Sequence, residues 1–527
     1  MPTDCITYQE SGYFSKLIVD YLNEKEALQS LYNRFPSFEN IKEQVAEKSK
    51  NYSVENRIIL EAALFKQNQD FDLSLASLNN IKLLQQENTF TITTGHQLNL
   101  FTGPLYFIYK IADTINLCKA LRQKYPENNF VPIYWMATED HDFEEINHFK
   151  FKGKKIVWNT TSNGPVGRLS TQGLQEVYNA FSSELGLGDN ASYLKELFKK
   201  AYLEHSNLAD ATRYLVNELF KNEGLVILDG DDTELKKLFI PTIKDELLQQ
   251  TSHKKVTETI QNFKYDVQVN PREINLFYIE NDLRERIILE NGKYKINNTD
   301  SVFTPTEILE LVENSPEKIS PNVILRPLYQ EIILPNLSYI GGGGEIAYWL
   351  ELKSMFEAHN ITFPMLLLRN SVVIASEKQM QKADKLELTW GNLFSKQIDL
   401  INSKAKELSK FNIDFSEQKI ILQQQFEKLN QIALQTDKSF IGAVKAQEAK
   451  QTKGLDNLEK RLLKAEKRVH SEKLAHITTL QNELFPNQSL QERQLNFAEF
   501  YLNNSNFISL VLSKLEPLKK HFLSIID

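Results

Sequence analysis

Between Pro364 and Pro486 the chain carries no proline, and only Gly391, Gly442 and Gly454 interrupt that stretch with glycine. Proline removes a backbone donor and clashes with the preceding turn, so a proline-free span of this length permits long helices. Within it Leu455, Leu458, Leu462, Ala465 and Val469 alternate steps of three and four. Ile477, Leu480 and Leu484 resume the spacing after a gap of eight, as a stutter would. Upstream, Asp414 with Glu417 three residues later predicts a capping box opening a helix with Leu422, Phe426, Leu429 and Ala433 on one face. Two long helices joined between Gly442 and Gly454 would form an antiparallel coiled-coil arm; two helices packed on the main body are the alternative. In both cases the segment is structural or oligomeric rather than catalytic.

The first part of the chain has another texture. Residues 14–85 read as helices, with Leu17, Val19, Tyr21 and Leu22, then Ile58, Leu60, Ala63 and Leu64, as apolar faces. Short β-branched or aromatic runs follow at 90–94, 130–137, 225–229, 323–325 and 363–368, separated by helical stretches. That alternation predicts βα units around a buried parallel sheet. Between the third and fourth runs, 275–280, 284–290 and 293–296 form a small meander, the last turn marked by Asn291-Gly292. Thr304, Pro305 and Glu307 stand in the cap, first-turn and third positions of a following helix. The domains expected are a Rossmann-like core over 1–375, with inserted segments at about 151–222 and 240–320. An antiparallel coiled-coil arm over 376–485 and C-terminal helices over 486–527, returning to the core, complete the chain.

Charge and cysteine content bound the function. With 61 Lys and Arg against 69 Asp and Glu, the formal charge of −8 argues against a non-specific nucleic-acid or anionic-membrane binder. Two cysteines, Cys5 and Cys118, exclude a disulfide scaffold or a multi-cysteine zinc ribbon. Cys118 falls on the apolar face of a helix and reads as a buried thiol. The start, Met1-Pro2-Thr3-Asp4, lacks the pattern of a signal peptide, and no apolar run reaches membrane-spanning length, so a cytoplasmic protein is expected.

Three segments place polar residues at the carboxyl ends of candidate strands, where open α/β sheets bind ligands. In the first, Gly95, His96, Gln97 and Gly103 lie between a strand and a helix that runs through Lys110. Glycine lets backbone approach a ligand, and His96 and Gln97 could donate to phosphoryl oxygens. In the second, Thr138-Glu139-Asp140-His141-Asp142 follows the apolar run ending at Ala137, with Glu144, Glu145 and His148 beyond. Five carboxylates in seven residues repel one another, which points to a base, an amine clamp or ligands for a cation. Glu144 and Glu145 read as helix-start charges; Asp140, His141 and Asp142 read as working residues. No spacing matches a zinc signature, so no metal is expected. In the third, Arg326 precedes Gly341, Gly342, Gly343, Gly344 and Glu345 at the start of a helix. The pattern is neither a dinucleotide fingerprint nor a P-loop. Arg326 suits a carboxylate or phosphate, and Glu345 with Tyr348 a substrate amine or hydroxyl.

Together these segments resemble the cysteine ligase family of bacillithiol biosynthesis (BshC family). The resemblance rests on Thr94-Gly95-His96-Gln97 with Thr102-Gly103-Pro104, on Thr138-Glu139-Asp140-His141-Asp142, on Leu325-Arg326-Pro327 with the glycine run, and on Leu490-Gln491-Glu492-Arg493. It implies an α/β fold with a Rossmann-like, class I synthetase-like parallel-sheet core, inserted connective segments and a C-terminal coiled-coil arm that forms a homodimer. It also implies addition of cysteine to glucosaminyl-malate, giving bacillithiol. A free carboxylate is a poor acyl donor, so activation by ATP through an adenylate is the expected route. On this reading His96, Asp140, His141, Asp142 and Arg326 are the catalytic set. Gly95, Gln97, Gly103, Gly341, Gly342, Gly344 and Glu345 surround the nucleotide. The alternatives are a non-catalytic dimeric coiled-coil scaffold with a synthetase-like core, and a nucleotidyl transferase acting on another amine.

Overall fold

The computed structural model describes residues 6–527; the chain start and Cys5 lie outside the described residues. Five strands form a wholly parallel sheet: β1 (Thr89–His96), β2 (Asn129–Met136), β3 (Val226–Asp229), β4 (Asn336–Gly341) and β5 (Met365–Leu368). Their order is β5-β4-β1-β2-β3, so the winding reverses between β1 and β4. Both faces are covered. Along β2, Val131, Ile133 and Trp135 enter one apolar core, while Tyr134 and Met136 enter another with helix α1 (Tyr106–Lys124). Burial on both faces is why these strands read as continuous apolar runs. Cys118, on α1, is buried and free, its thiol pushed up to about 12 by burial.

The fourth strand differs from the expected one. Residues 323–325 lead into helix α2 (Leu325–Ile333), in which Pro327 stands in the first turn and leaves no helical hydrogen bond unmade. The strand is instead Asn336–Gly341, whose polar residues are matched across the sheet. Thr91 and Thr93 donate to Asn336 Oδ1, and Ser338 donates to the carbonyl of Met365. Helix α3 (Gly343–Trp349) follows directly.

The meander holds Leu276–Glu280, Leu283–Glu290, Lys293–Ile296 and Val302–Phe303, and gains Ile319–Pro321 against its first strand. Asn291 and Gly292 both take positive φ, as the hairpin turn requires. Thr304 caps the helix Pro305–Asn314 reciprocally with Glu307.

Beyond β5, Val372–Ala375 pairs in parallel with His521–Ile526, which in turn pairs with Ile6–Thr7. The chain thus ends in a strand, where helices alone were expected. The arm is a helical hairpin of α4 (Ser416–Ala433) and α5 (Lys438–Val469), continued by α6 (Ser471–Leu484). Its turn falls at 434–437, and α5 runs straight through Gly442 and Gly454. Two glycines cost a 32-residue helix about 2 kcal/mol in propensity, too little to break it when one face packs. Phe426, Ala433 and Val444 form the seam, and Lys419 of α4 pairs with Asp456 and Glu459 of α5 at 2.7 and 2.9 Å. Asp414 does not stand in the cap position of α4: Phe415 fills it without a side-chain hydrogen bond, and the Asp414 carboxylate accepts instead from the N–H and hydroxyl of Ser416, the first helical residue. The expected stutter is a break at His470 between α5 and α6. Among the described residues, no helix is long and apolar enough to cross a membrane.

Candidate active site

The carboxyl ends of β1 and β4 diverge where the winding reverses, which is where open α/β sheets accept ligands. A crevice of about 310 Å³ lies there, walled by Trp135, Tyr339, Tyr348 and Trp349. A larger cavity of about 440 Å³ opens past Gly343 and Gly344. We place the chemistry in the smaller one because it joins the ends of β1, β2 and β4.

His96 ends β1 and lines the crevice. Its Nδ1 is 2.9 Å from the carbonyl oxygen of Gln97. A carbonyl only accepts, so Nδ1 donates and Nε2 keeps its lone pair in the neutral ring. Burial, aided by the charge of Lys110, holds the pKa down at about 3. The ring therefore offers an acceptor. The expected donation to phosphoryl oxygens would need a second proton, which burial and Lys110 oppose.

The floor is an ion pair that sequence reading did not assemble. Lys110 of α1 donates to both oxygens of Glu345 at 2.8 Å and to the carbonyl of Gly95. The Tyr339 hydroxyl at 2.5 Å and the Gly342 N–H at 2.8 Å donate to the same carboxylate. Burial would raise the Glu345 pKa, but Lys110 and the Gly342 N–H outweigh it and keep the group ionised. With its acceptor positions filled, Glu345 anchors α3 to α1 rather than clamping a substrate amine, which corrects the expectation. Gly341 makes this closeness possible: a Cβ there would stand 2.9 Å from both Tyr339 and Glu345 side-chain carbons.

Asp140 and Arg326 form the rim. Arg326 Nη2 stands 3.8 Å from Asp140 Oδ2, and each side chain is about one-fifth exposed (22% and 18%). Burial would raise the Asp140 pKa, but the hydrogen bond from His141 and the charges of Arg326 and Arg284 push it well below the usual carboxylate range. Gln97 Nε2 donates to Asp140 at 3.4 Å and to Glu145 at 2.9 Å. Glu139 turns away into the core, where it meets Lys236 at 2.8 Å; Lys236 also meets Asp231. That pairing removes one charge from the acidic segment and accounts for part of its tolerance.

Over residues 1–370 the chain matches the family described as "Bacillithiol biosynthesis BshC, N-terminal Rossmann-like domain". Over 372–526 it matches "Bacillithiol biosynthesis BshC, C-terminal coiled-coil domain". The chain belongs to the BshC family. A Flavobacterium psychrophilum protein named "Putative cysteine ligase BshC" is 66% identical over 525 residues, 99% of each chain. Proteins of the same name from Cytophaga hutchinsonii and Bacillus cereus are 39% and 28% identical. They align over 97% and 94% of this chain, and 96% and 95% of their own lengths. These relatives carry a ligase name, and the chain is an enzyme of that class.

The BshC fold thus brings Gly95, His96, Gln97, Asp140, Arg326 and Glu345 to one crevice. It does not bring the others there. His141 is half exposed and turned to the meander, where Arg284 Nη1 donates to its Nδ1 at 2.7 Å and Phe277 packs at 5.6 Å. Asp142 is exposed ahead of the short helix Phe143–Ile146. Gly344 lines the larger cavity, Gly103 a third one, and Gly342 serves Glu345. Gly103 has a turn to make: its φ is +60, and a Cβ would meet Asn99 Cβ at 2.6 Å. Among the described residues, no group of three or more His, Cys, Asp or Glu is placed to hold a metal ion.

Lys110 and Arg284 were not singled out. Lys110 had a signal, being a lysine inside an apolar helix between Ile108 and Ile111; Arg284 had none locally. Beneath the crevice Asp113 is fully buried; its carboxyl accepts from the Asn370 N–H at 2.6 Å. Burial pushes its pKa up to about 8, against the Asn370 hydrogen bond and the Arg369 charge. The folded chain therefore keeps a proton that the unfolded chain, with a pKa near 3.9, has released. Stability falls as pH rises between about 4 and 8, with a slope of up to about 1.4 kcal/mol per pH unit from this group. Asp113→Asn should remove that slope, so its melting temperature should gain on the parent from pH 5 to pH 8. Parallel melting curves at the two pH values would refute this.

Proposed function

We propose that the enzyme joins the carboxyl of cysteine to the amine of glucosaminyl-malate, forming bacillithiol with ATP as the source of activation. The observation that carries this is the loose pair of Asp140 and Arg326 on the crevice rim. At 3.8 Å and partly exposed, it is a split ion pair that an amino-acid zwitterion can enter. Asp140, held ionised, accepts from the α-ammonium, and Arg326 donates to the carboxylate. Nε2 of neutral His96 is a hydrogen-bond acceptor on the crevice wall.

ATP supplies an adenylyl group to the cysteine carboxylate as pyrophosphate departs, so that AMP is the leaving group on the carboxyl. The crevice suits phosphate oxygens, since it lies at the reversal of winding and Arg326 carries a fixed positive charge there. The acceptor amine then attacks the carboxyl carbon; the carbon–nitrogen bond forms as the bond to the leaving oxygen breaks. The acceptor enters as an ammonium, so it sheds one proton before attack and one after, both to solvent, while the neutral His96 Nε2 accepts a hydrogen bond from the free amine and orients it.

The deciding experiment supplies folded protein with cysteine, glucosaminyl-malate and ATP. Bacillithiol and pyrophosphate are expected together. Absence of both sinks the reading; heat on titrating cysteine, without product, would favour a substrate-presenting scaffold instead.

The arm is read as the seam of a homodimer, because Ile421, Leu429, Ile432 and Leu458 stand exposed on it. Sedimentation should give twice the 61.0 kDa chain mass, and a value at 61.0 kDa would remove this part of the proposal.

A further inference from the structure

Past Gln97 the crevice adjoins another cavity, of about 350 Å³, bordered by Glu145, His148, Lys150 and Arg493. The two spaces share Gln97 and Tyr106. Gln97 is the partition, since its amide donates to Asp140 on one side and to Glu145 on the other.

The charges in this second space are unbalanced. Lys150 donates only to the amide oxygen of Gln494, and Arg493 lies 6.0 Å from the Tyr106 ring. Among the described residues neither has a carboxylate within ion-pair distance. Glu492, next to Arg493, is already taken by Arg369, Ser371 and the Val372 N–H. His148 is held below its ordinary pKa by burial and by Lys155 and Lys150, so it adds no positive charge at neutral pH. Two cations without a carboxylate partner thus border this space, Arg493 beside the shared Tyr106, and two carboxylates, Glu145 and Asp140, flank the partition.

We propose that this cavity is the acceptor subsite, built for an amine that carries two carboxylates on a sugar-sized body. Lys150 and Arg493 hold the carboxylates, and the amine lies beside Gln97, between Glu145 and Asp140, facing the activated carboxyl in the crevice. The inference rests on the ligase reading above and adds where the second substrate sits. The arrangement explains why one crevice of about 310 Å³ need not hold both substrates.

Calorimetry on the full-length protein tests it, with glucosaminyl-malate, cysteine, and methyl glucosaminide as the carboxylate-free probe. Lys150→Gln and Arg493→Gln should each raise the Kd for glucosaminyl-malate about tenfold, and the double variant about a hundredfold. Cysteine binding should stay within twofold in all of them, which also verifies folding. Methyl glucosaminide should bind weakly and alike to every variant. Unchanged glucosaminyl-malate affinity in the Lys150→Gln and double variants overturns the subsite while leaving the ligase reading intact. Loss of affinity in Lys264→Gln instead would move the acceptor to the cavity of about 440 Å³, again against the proposal. A parent protein that binds cysteine but no glucosaminyl-malate would overturn the ligase reading, and the subsite with it.

Discussion

Asp140→Asn is expected to lower kcat/KM for ligation by roughly 30- to 1000-fold, the equivalent of about 2–4 kcal/mol for removing one charge from a contact that bound substrate closes off from water. Asparagine keeps the shape and can still accept from the His141 N–H, which Asp140 does at 2.8 Å. What it removes is the negative charge between Arg326 and Arg284. Arg284 is 4% exposed and already held down at about 10, by burial and by Arg326. Without Asp140 the two guanidiniums face each other unbalanced, and Arg326 should swing toward solvent. The loss should appear mainly in the KM for cysteine, whose ammonium loses its acceptor. Because Asp140 is ionised well below neutrality, the acid limb of the pH–rate profile should not move in the variant. A kcat/KM within threefold of the parent, or a shifted acid limb, would remove Asp140 from the cysteine site.

That prediction rests on a segment whose importance was legible in the sequence and whose geometry was not. A cluster of carboxylates after an apolar run marks a strand end, and β2 does end at Met136. The side chains then part company for reasons set by distant residues. Glu139 is drawn inward by Lys236, about a hundred positions on, and His141 outward by Arg284 of the meander. The same limit applies to β4. Its Asn336 and Ser338 look wrong for a buried strand until Thr91, Thr93 and the Met365 carbonyl are seen to satisfy them. Residues 323–325, apolar and β-branched, look right and instead begin a helix. Strand-like composition is a weak local preference, and pairing partners decide it. The arm was legible because proline's absence is a constraint of the backbone itself. Its turn was misplaced because glycine merely weakens a helix, whereas the turn at 434–437 needed only a cap, which Asp437 supplies to α5.

The largest effect on stability is expected from Glu492→Ala. Glu492 has no exposed surface in its side chain and accepts from Arg369 Nη2 at 2.7 Å, Ser371 Oγ at 3.1 Å and the Val372 N–H at 3.1 Å. It fastens the segment following α6 to the crossing between β5 and the strand Val372–Ala375. Gln491 continues the clasp along that strand, accepting from the Ile374 N–H and donating to its carbonyl. Alanine would leave the Arg369 guanidinium, 4% exposed, as an unpaired buried charge whose Nε already lacks a partner. Breaking a buried pair from one side costs about 3–5 kcal/mol, because desolvation of the survivor is no longer offset. The chain has more than one core, so unfolding need not be all-or-none, and a single melting temperature would blur the effect. Hydrogen exchange resolves it: amides of Val372–Ala375 and His521–Ile526 should lose about 3 kcal/mol or more of protection, while those of β2 change little. Removing both charges as Glu492→Met with Arg369→Met should recover most of the loss, since two apolar groups of similar size leave nothing unpaired. Equal protection in Glu492→Ala and the parent would mean that Arg369 finds water when its partner is gone, and that the clasp holds through Gln491 alone.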